Sequence, residues 1–222
     1  MKIGKGILIS MLLVLLTVAG CQNGPSAIEQ MYNHLETAVE LEAEFEQHQD
    51  EMVELEQKEK DLYNEIIELG MNDIDQIQQL SSEAITILDN REELLSKEKN
   101  SIDKAKEEFD QAEEYIDQLE DENVQSLAND LVAKMNDRYA AYQNLFDFYT
   151  QSITLDRELY ELLQQEDLEK DVLETKIEEI NEMYEKIFET NEQFNTYTSE
   201  YNELKKEFYE QAGLDVQYSE DE

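Results

Sequence analysis

His48-Gln49-Asp50-Glu51 places an imidazole and a carboxylate three residues apart, a spacing that in a helix could begin a metal site. The other histidine, His34, lies 14 residues earlier, about 21 Å along a helix, so the two cannot share one ion. The Glu-x-x-His repeats of di-iron bundles are absent, because Met31 and Phe45 stand three residues before the histidines. Neither a metal site nor a cofactor is therefore expected. Arg91, Glu98 and Asp156 are charges at inward positions of a heptad pattern. Pairing of the second segment with the third puts Arg91 about a turn from Asp156, to be read as a site or as a buried ion pair that fixes register. Tyr139, Tyr142, Phe146 and Tyr149, with Tyr184, Phe194, Tyr201 and Phe208, could stack on sugar rings, but their spacing assigns them to a core. Carboxylates on outer faces form a solvated surface, with diffuse divalent-cation binding as the sharper alternative. Acid/base catalysis needs two carboxylates in a cleft, and a bundle of long helices offers none; nor is there a nucleophile motif or a Gly-rich phosphate loop, so no catalytic residue is named and an enzyme is not expected.

The elements that must hold these groups are helices. From Ser26 onward proline is absent and Gly70 and Gly213 are the glycines. Ile74, Ser81, Leu88, Leu95, Ile102, Phe109 and Ile116 recur every seven residues, and Ile77, Ala84, Arg91, Glu98, Ala105, Ala112 and Leu119 follow three behind, an a/d seam with a period near 3.5. Leu173, Ile180, Ile187, Phe194, Tyr201 and Phe208 run beside Ile177, Tyr184, Asn191, Thr198 and Lys205. Tyr139, Phe146, Ile153 and Tyr160 run beside Met135, Tyr142, Tyr149, Asp156 and Leu163. Breaks fall at Leu69-Gly70-Met71-Asn72-Asp73, at Glu120-Asp121-Glu122-Asn123, and at Gln164-Gln165-Glu166-Asp167, where Asp167 offers a weaker cap. Helices are thus predicted over about 26–69, 73–120, 124–164 and 167–212, making an all-α, up-and-down four-helix bundle over 26–213 with coiled-coil-like packing and an acidic, frayed tail at 214–222. The alternative is a three-helix, spectrin-like bundle in which the break at Asp167 is a kink.

The amino end carries Lys2 and Lys5, then an apolar run of 13 residues from Ile7 to Ala19, below the roughly 20 needed to span a bilayer. Val18-Ala19-Gly20-Cys21 resembles the lipobox of bacterial lipoproteins. That likeness implies a signal peptide at 1–20, cleavage after Gly20, and lipid on the thiol of Cys21, the chain's one cysteine. The tether 21–25 is short, since Ser26 and Glu29 have capping-box spacing and should start a helix at once. Two or three acyl chains make a stable anchor, placing the mature protein on the extracytoplasmic face of a bacterial cell membrane. The full chain holds 17 basic and 56 acidic residues, a formal charge of -39; loss of Lys2 and Lys5 brings it to -41. Such a field excludes a nucleic-acid binder working through basic patches and disfavours direct docking on anionic lipid.

The mature chain resembles the cell-wall-binding lipoproteins of Bacillus and Staphylococcus type, the YkyA-like family. Tyr32-Asn33-His34-Leu35-Glu36, Val53 to Glu59 leading into Leu62-Tyr63, Leu69-Gly70-Met71, Met135 to Tyr142, and Leu155 to Tyr160 carry the likeness. It implies a lipid-anchored helical bundle with no assigned catalytic residue and with the cell wall as partner. The expected function is a non-enzymatic structural or interaction element of the cell envelope, contacting wall polymer or envelope proteins, in part through divalent cations. The runner-up is a ligand-binding module for wall glycan or cations.

Overall fold

The computed structural model describes residues 25–70 and 73–216. The predicted signal peptide 1–20 with its expected cleavage after Gly20, the expected lipidation site Cys21, the predicted tether to residue 24, Met71, Asn72 and the tail from 217 lie outside the described residues.

The fold is all-α and bundle-like. Its helices are α1 (Ala27–Leu41), α2 (Ala43–Leu69), α3 (Ile74–Ala112), α4 (Glu122–Leu163) and α5 (Lys170–Gln211), with a 3-10 turn over Glu113–Gln118. Ser26 starts α1 as its spacing predicts. Its hydroxyl accepts from the Glu29 N–H at 3.2 Å, and the Glu29 carboxylate accepts from the Ser26 N–H at 2.7 Å. Asp73 Oδ1 accepts from the Gln76 N–H at 3.3 Å at the head of α3, and Asp121 Oδ1 from the Asn123 N–H at 2.7 Å at the head of α4.

Two expectations need correction. The sequence pattern predicts four segments, and five α-helices form among the described residues, because the first segment is divided at Glu42. The Glu42 N–H is shared between the carbonyls of Ala38 and Val39 at 3.2 and 3.1 Å, a local tightening. The carboxylate at this break is buried, 6 % exposed. The second correction is at Asp167. α5 starts from Glu169 instead, whose carbonyl accepts from the Val172 and Leu173 N–H groups, and the break is a chain reversal. Lys176 bonds Glu158 at 2.7 Å and Tyr184 bonds Asp156 at 2.8 Å, so partners recede from the loop in opposite directions and the kinked three-helix alternative fails there.

The chain forms two compact units. Among the described residues, the first draws on 25–46, 100–141 and 193–216. Its core is Met31 and Leu35 of α1, Phe109 of α3, Leu131 of α4, and Phe208 and Tyr209 of α5, each fully buried. The second draws on Gln47–Lys99 and Tyr142–Glu192. Its core is built from Met52 and Ile66 of α2, Ile77 and Leu88 of α3, Ile153 and Tyr160 of α4, and Ile180 of α5. Burial of one such side chain contributes about 1.5–3 kcal/mol, so these rows hold the helices together. Along α3 and the turn after it, every residue of the two predicted rows except Ile74 is buried, including Ser81, Arg91 and Glu98. The seam takes polar groups into the core along with apolar ones.

Candidate functional site

Carboxylates of the second unit gather around Arg91 of α3, which has no exposed surface. α2 brings Glu59, bonded to Nη1, and Glu56, 3.5 Å from Nη2; α4 brings Asp156, 3.7 Å from Nη1. The predicted proximity of Arg91 and Asp156 is present, and the two α2 carboxylates are additions. Their signal was in the sequence, since Glu59 falls four residues after Leu55 and three before Leu62, an inward position occupied by a charge. Tyrosines complete the shell. Tyr149 donates to Glu56 at 3.0 Å and Tyr184 to Asp156 at 2.8 Å. Burial works against charge on the guanidinium, but Tyr184, Glu59, Glu56 and Asp156 outweigh it and raise the Arg91 pKa.

The carboxylates receive no equal compensation from a single cation. Burial, reinforced by the charge of Glu59, pushes Asp156 up to about 7 despite Tyr184 and Arg91. Glu98 sits on α3 two turns past Arg91, 3 % exposed. It accepts from Gln49 Nε2 at 2.9 Å, and burial pushes its carboxyl up to about 8. Carboxyls titrating near neutrality are candidates for general acids. Here Asp156 is 4 % exposed and engaged by Tyr184 and Arg91, so a substrate atom has no approach within hydrogen-bond reach.

A second buried pair, missed from sequence, lies in the first unit. Arg138 of α4 holds both oxygens of Glu42 in a fork, each bond 2.7 Å, donates from Nε to Thr198 Oγ1 at 2.9 Å, and lies 4.9 Å from the centre of the Phe194 ring. Arg138 stands three residues after Met135 and four before Tyr142, so it belongs to the buried row that continues through Leu145, Ser152 and Leu159. Of the row predicted from aromatics, Ile153 and Tyr160 are buried in the core while Tyr139 and Phe146 are half-buried.

The histidines serve structure. His34 Nδ1 is 2.7 Å from Glu108 Oε1, and the ring stacks on Tyr115 at 5.7 Å; His48 Nδ1 is buried without a hydrogen-bond partner. Among the described residues no group of three or more histidine, cysteine, aspartate or glutamate side chains is placed to hold a metal ion. Of the aromatic rows, Tyr142, Phe194, Tyr201 and Phe208 are buried in cores, as the spacing assigns them, while Tyr184 is 38 % exposed. A shallow open groove of about 470 Å³ runs between α4 and α5 of the second unit, floored by Leu155 and Met183; its Lys176 is bonded to Glu158 and Glu179.

A profile of the family described as "YkyA: Putative cell-wall binding lipoprotein" matches residues 26–211. The chain belongs to this family. It is 32 % identical over 204 residues to the uncharacterized lipoprotein YkyA of Bacillus subtilis, covering 92 % of this chain and 91 % of that one. A crystal structure of a conserved protein of unknown function from Staphylococcus aureus shares the fold, with a TM-score of 0.67 at 16 % identity over 85 % of this chain and 98 % of the other. The family's description names lipidation and wall binding and no catalytic role. The matched span takes in both buried arginine networks.

Proposed function

We propose that the chain is an extracytoplasmic lipoprotein, cleaved after Gly20 and tethered through lipid on Cys21. It acts as a non-enzymatic structural or interaction element of the cell envelope, associated with the wall. The observation that carries this reading is the family match over 26–211, which spans all five helices. The charged groups buried in each unit support it, being engaged with one another rather than presented to a substrate. Within each unit neighbouring helices run antiparallel, as the pairs His34 with Glu108 and Leu41 with Ser101 mark in the first and Glu158 with Lys176 and Asp156 with Tyr184 mark in the second. The layout is then signal peptide 1–20, tether 21–25, helices over 26–213 and an acidic tail 214–222. A mature charge of -41 is repelled by the anionic polymers of a Gram-positive wall, so contact through bridging divalent cations fits best.

Labelled palmitate should enter the wild-type protein and not Cys21→Ala, which should be released or left unprocessed; label retained in the variant ends the anchor reading. Purified protein should sediment weakly with isolated wall in chelator and more with millimolar magnesium or calcium. Tight binding indifferent to chelator and salt ends the bridging reading.

A further inference from the structure

The phenylalanines of this chain share a habit. Phe45 meets Phe194 edge to face, Phe109 meets Tyr201, and Phe208 meets Tyr209. Cations lie over the rings of Phe146, Phe148 and Phe194, supplied by Lys99, Lys186 and Arg138 at 5.6, 6.0 and 4.9 Å. Among the described residues Phe188 is the phenylalanine with no such partner, and it is also the most exposed of the large apolar side chains, at 59 %.

Its setting on α5 is specific. One turn before it stands Tyr184, a residue 38 % exposed whose hydroxyl is held inward by Asp156 at 2.8 Å. Glu185 lies three residues before Phe188 and Glu189 next to it, both exposed, with Glu192 a turn beyond. An accessible ring edged by carboxylates attracts a cation twice, through the quadrupole of the ring and through charge. Elsewhere the protein satisfies such rings with its own lysines and arginines, of which the mature chain has 15 against 56 acids. A second copy of the chain would bring more of the same sign and is disfavoured.

We propose that the α5 face carrying Tyr184 and Phe188 docks a cationic peptide segment of an envelope partner, with a lysine or arginine side chain over the Phe188 ring and paired with Glu185 and Glu189.

The chain has no tryptophan, so Phe188→Trp creates a single fluorescent reporter on this face. The probe is a peptide of about a dozen residues of lysine and alanine, long enough for three helical turns. It is titrated into the full chain in neutral detergent, with a glutamate and alanine peptide and an uncharged wall oligosaccharide as the other arms. The lysine peptide should change the emission of the introduced indole saturably, and the other two should not. In the wild-type background, Phe188→Ala should weaken lysine-peptide binding about tenfold, through loss of the ring and its apolar contact. Glu185→Gln with Glu189→Gln should weaken it about fivefold and flatten its salt dependence. Unchanged circular dichroism melting in these surface variants separates binding from folding. Lysine-peptide binding that leaves the indole emission unchanged, or is indifferent to Phe188→Ala, overturns the proposal in favour of diffuse attraction to the acidic surface. An emission change with the oligosaccharide and not the peptide overturns it in favour of glycan stacking.

Discussion

Glu98 keeps its proton in the folded protein at pH values where the unfolded chain has released it. Its carboxyl is pushed by burial from 4.5 to about 8, and its hydrogen-bond partner is the Gln49 amide. The folded state therefore binds more protons than the unfolded state between those values, and stability falls as pH rises through them. The contribution is fully present below about 4.5 and lost by about 8; Asp156, raised from 3.8 to about 7, acts in the same direction over a lower window. Glu98→Gln should match wild type near pH 4.5 and exceed it by a few kcal/mol at most at pH 8.5, with a shallower pH dependence in urea denaturation. A variant that keeps the wild-type slope would place the lost protons on other groups. At this scale Arg91 and Asp156 are legible because the heptad puts them inward. Glu59, Glu42 and Arg138 obey the same arithmetic and escape notice because a charge at a seam position is ordinarily counted as a break in the pattern. Only the three-dimensional fork between Arg138 and Glu42 reveals that each is neutralised by the other.

Helix ends tell a mixed story, since caps and glycines announce themselves while tertiary breaks do not. α5 closes at Gly213, which has φ +74; the Leu214 N–H reaches back to the Tyr209 carbonyl at 3.0 Å and the Gly213 N–H to Glu210 at 3.2 Å. A Cβ built there meets nothing within 4 Å, so Gly213→Ala isolates the cost of the left-handed backbone. Denaturant midpoints should report a loss of about 1 kcal/mol with unchanged helix content; no loss would mean that the last turn opens freely in the wild type. Gly70, Asp73, Asp121 and the Ser26 box are readable for the same local reason. The break at Glu42 has no glycine, proline or asparagine to mark it; its neighbours there are tertiary, with the Leu41 carbonyl accepting from Ser101 of α3 and the Glu42 carboxylate held by Arg138 of α4. At Asp167 a good capping residue is simply out of register with the turn that forms.

The charge of the whole molecule sets a uniform field over these local effects. With 56 acids against 17 bases, the compact state repels itself more than the expanded one. Melting temperature should rise with added sodium chloride, rise further with magnesium at equal ionic strength, and be higher at pH 5.5 than at pH 8. A flat or inverted salt response in scanning calorimetry would show that local pairs such as Arg157 with Asp89 at 2.8 Å outweigh the field. The all-α class is legible at this scale because between Ser26 and Gly213 proline is absent and Gly70 is the one glycine. The division into two compact units is not, since the heptads run through it without a change of composition.

A heptad pattern has one characteristic error: moved by seven residues, it fits itself again. On α3 the residue seven beyond Arg91 is Glu98. If α3 slid one repeat in that direction against α2 and α4, the apolar rows would still find partners. The place now filled by a guanidinium would then receive a fourth carboxylate beside Glu56, Glu59 and Asp156. That arrangement places four carboxylates together with no cation to offset them. The buried arginine thus disfavours the alignment one repeat away, which the apolar pattern alone leaves nearly equivalent to the native one.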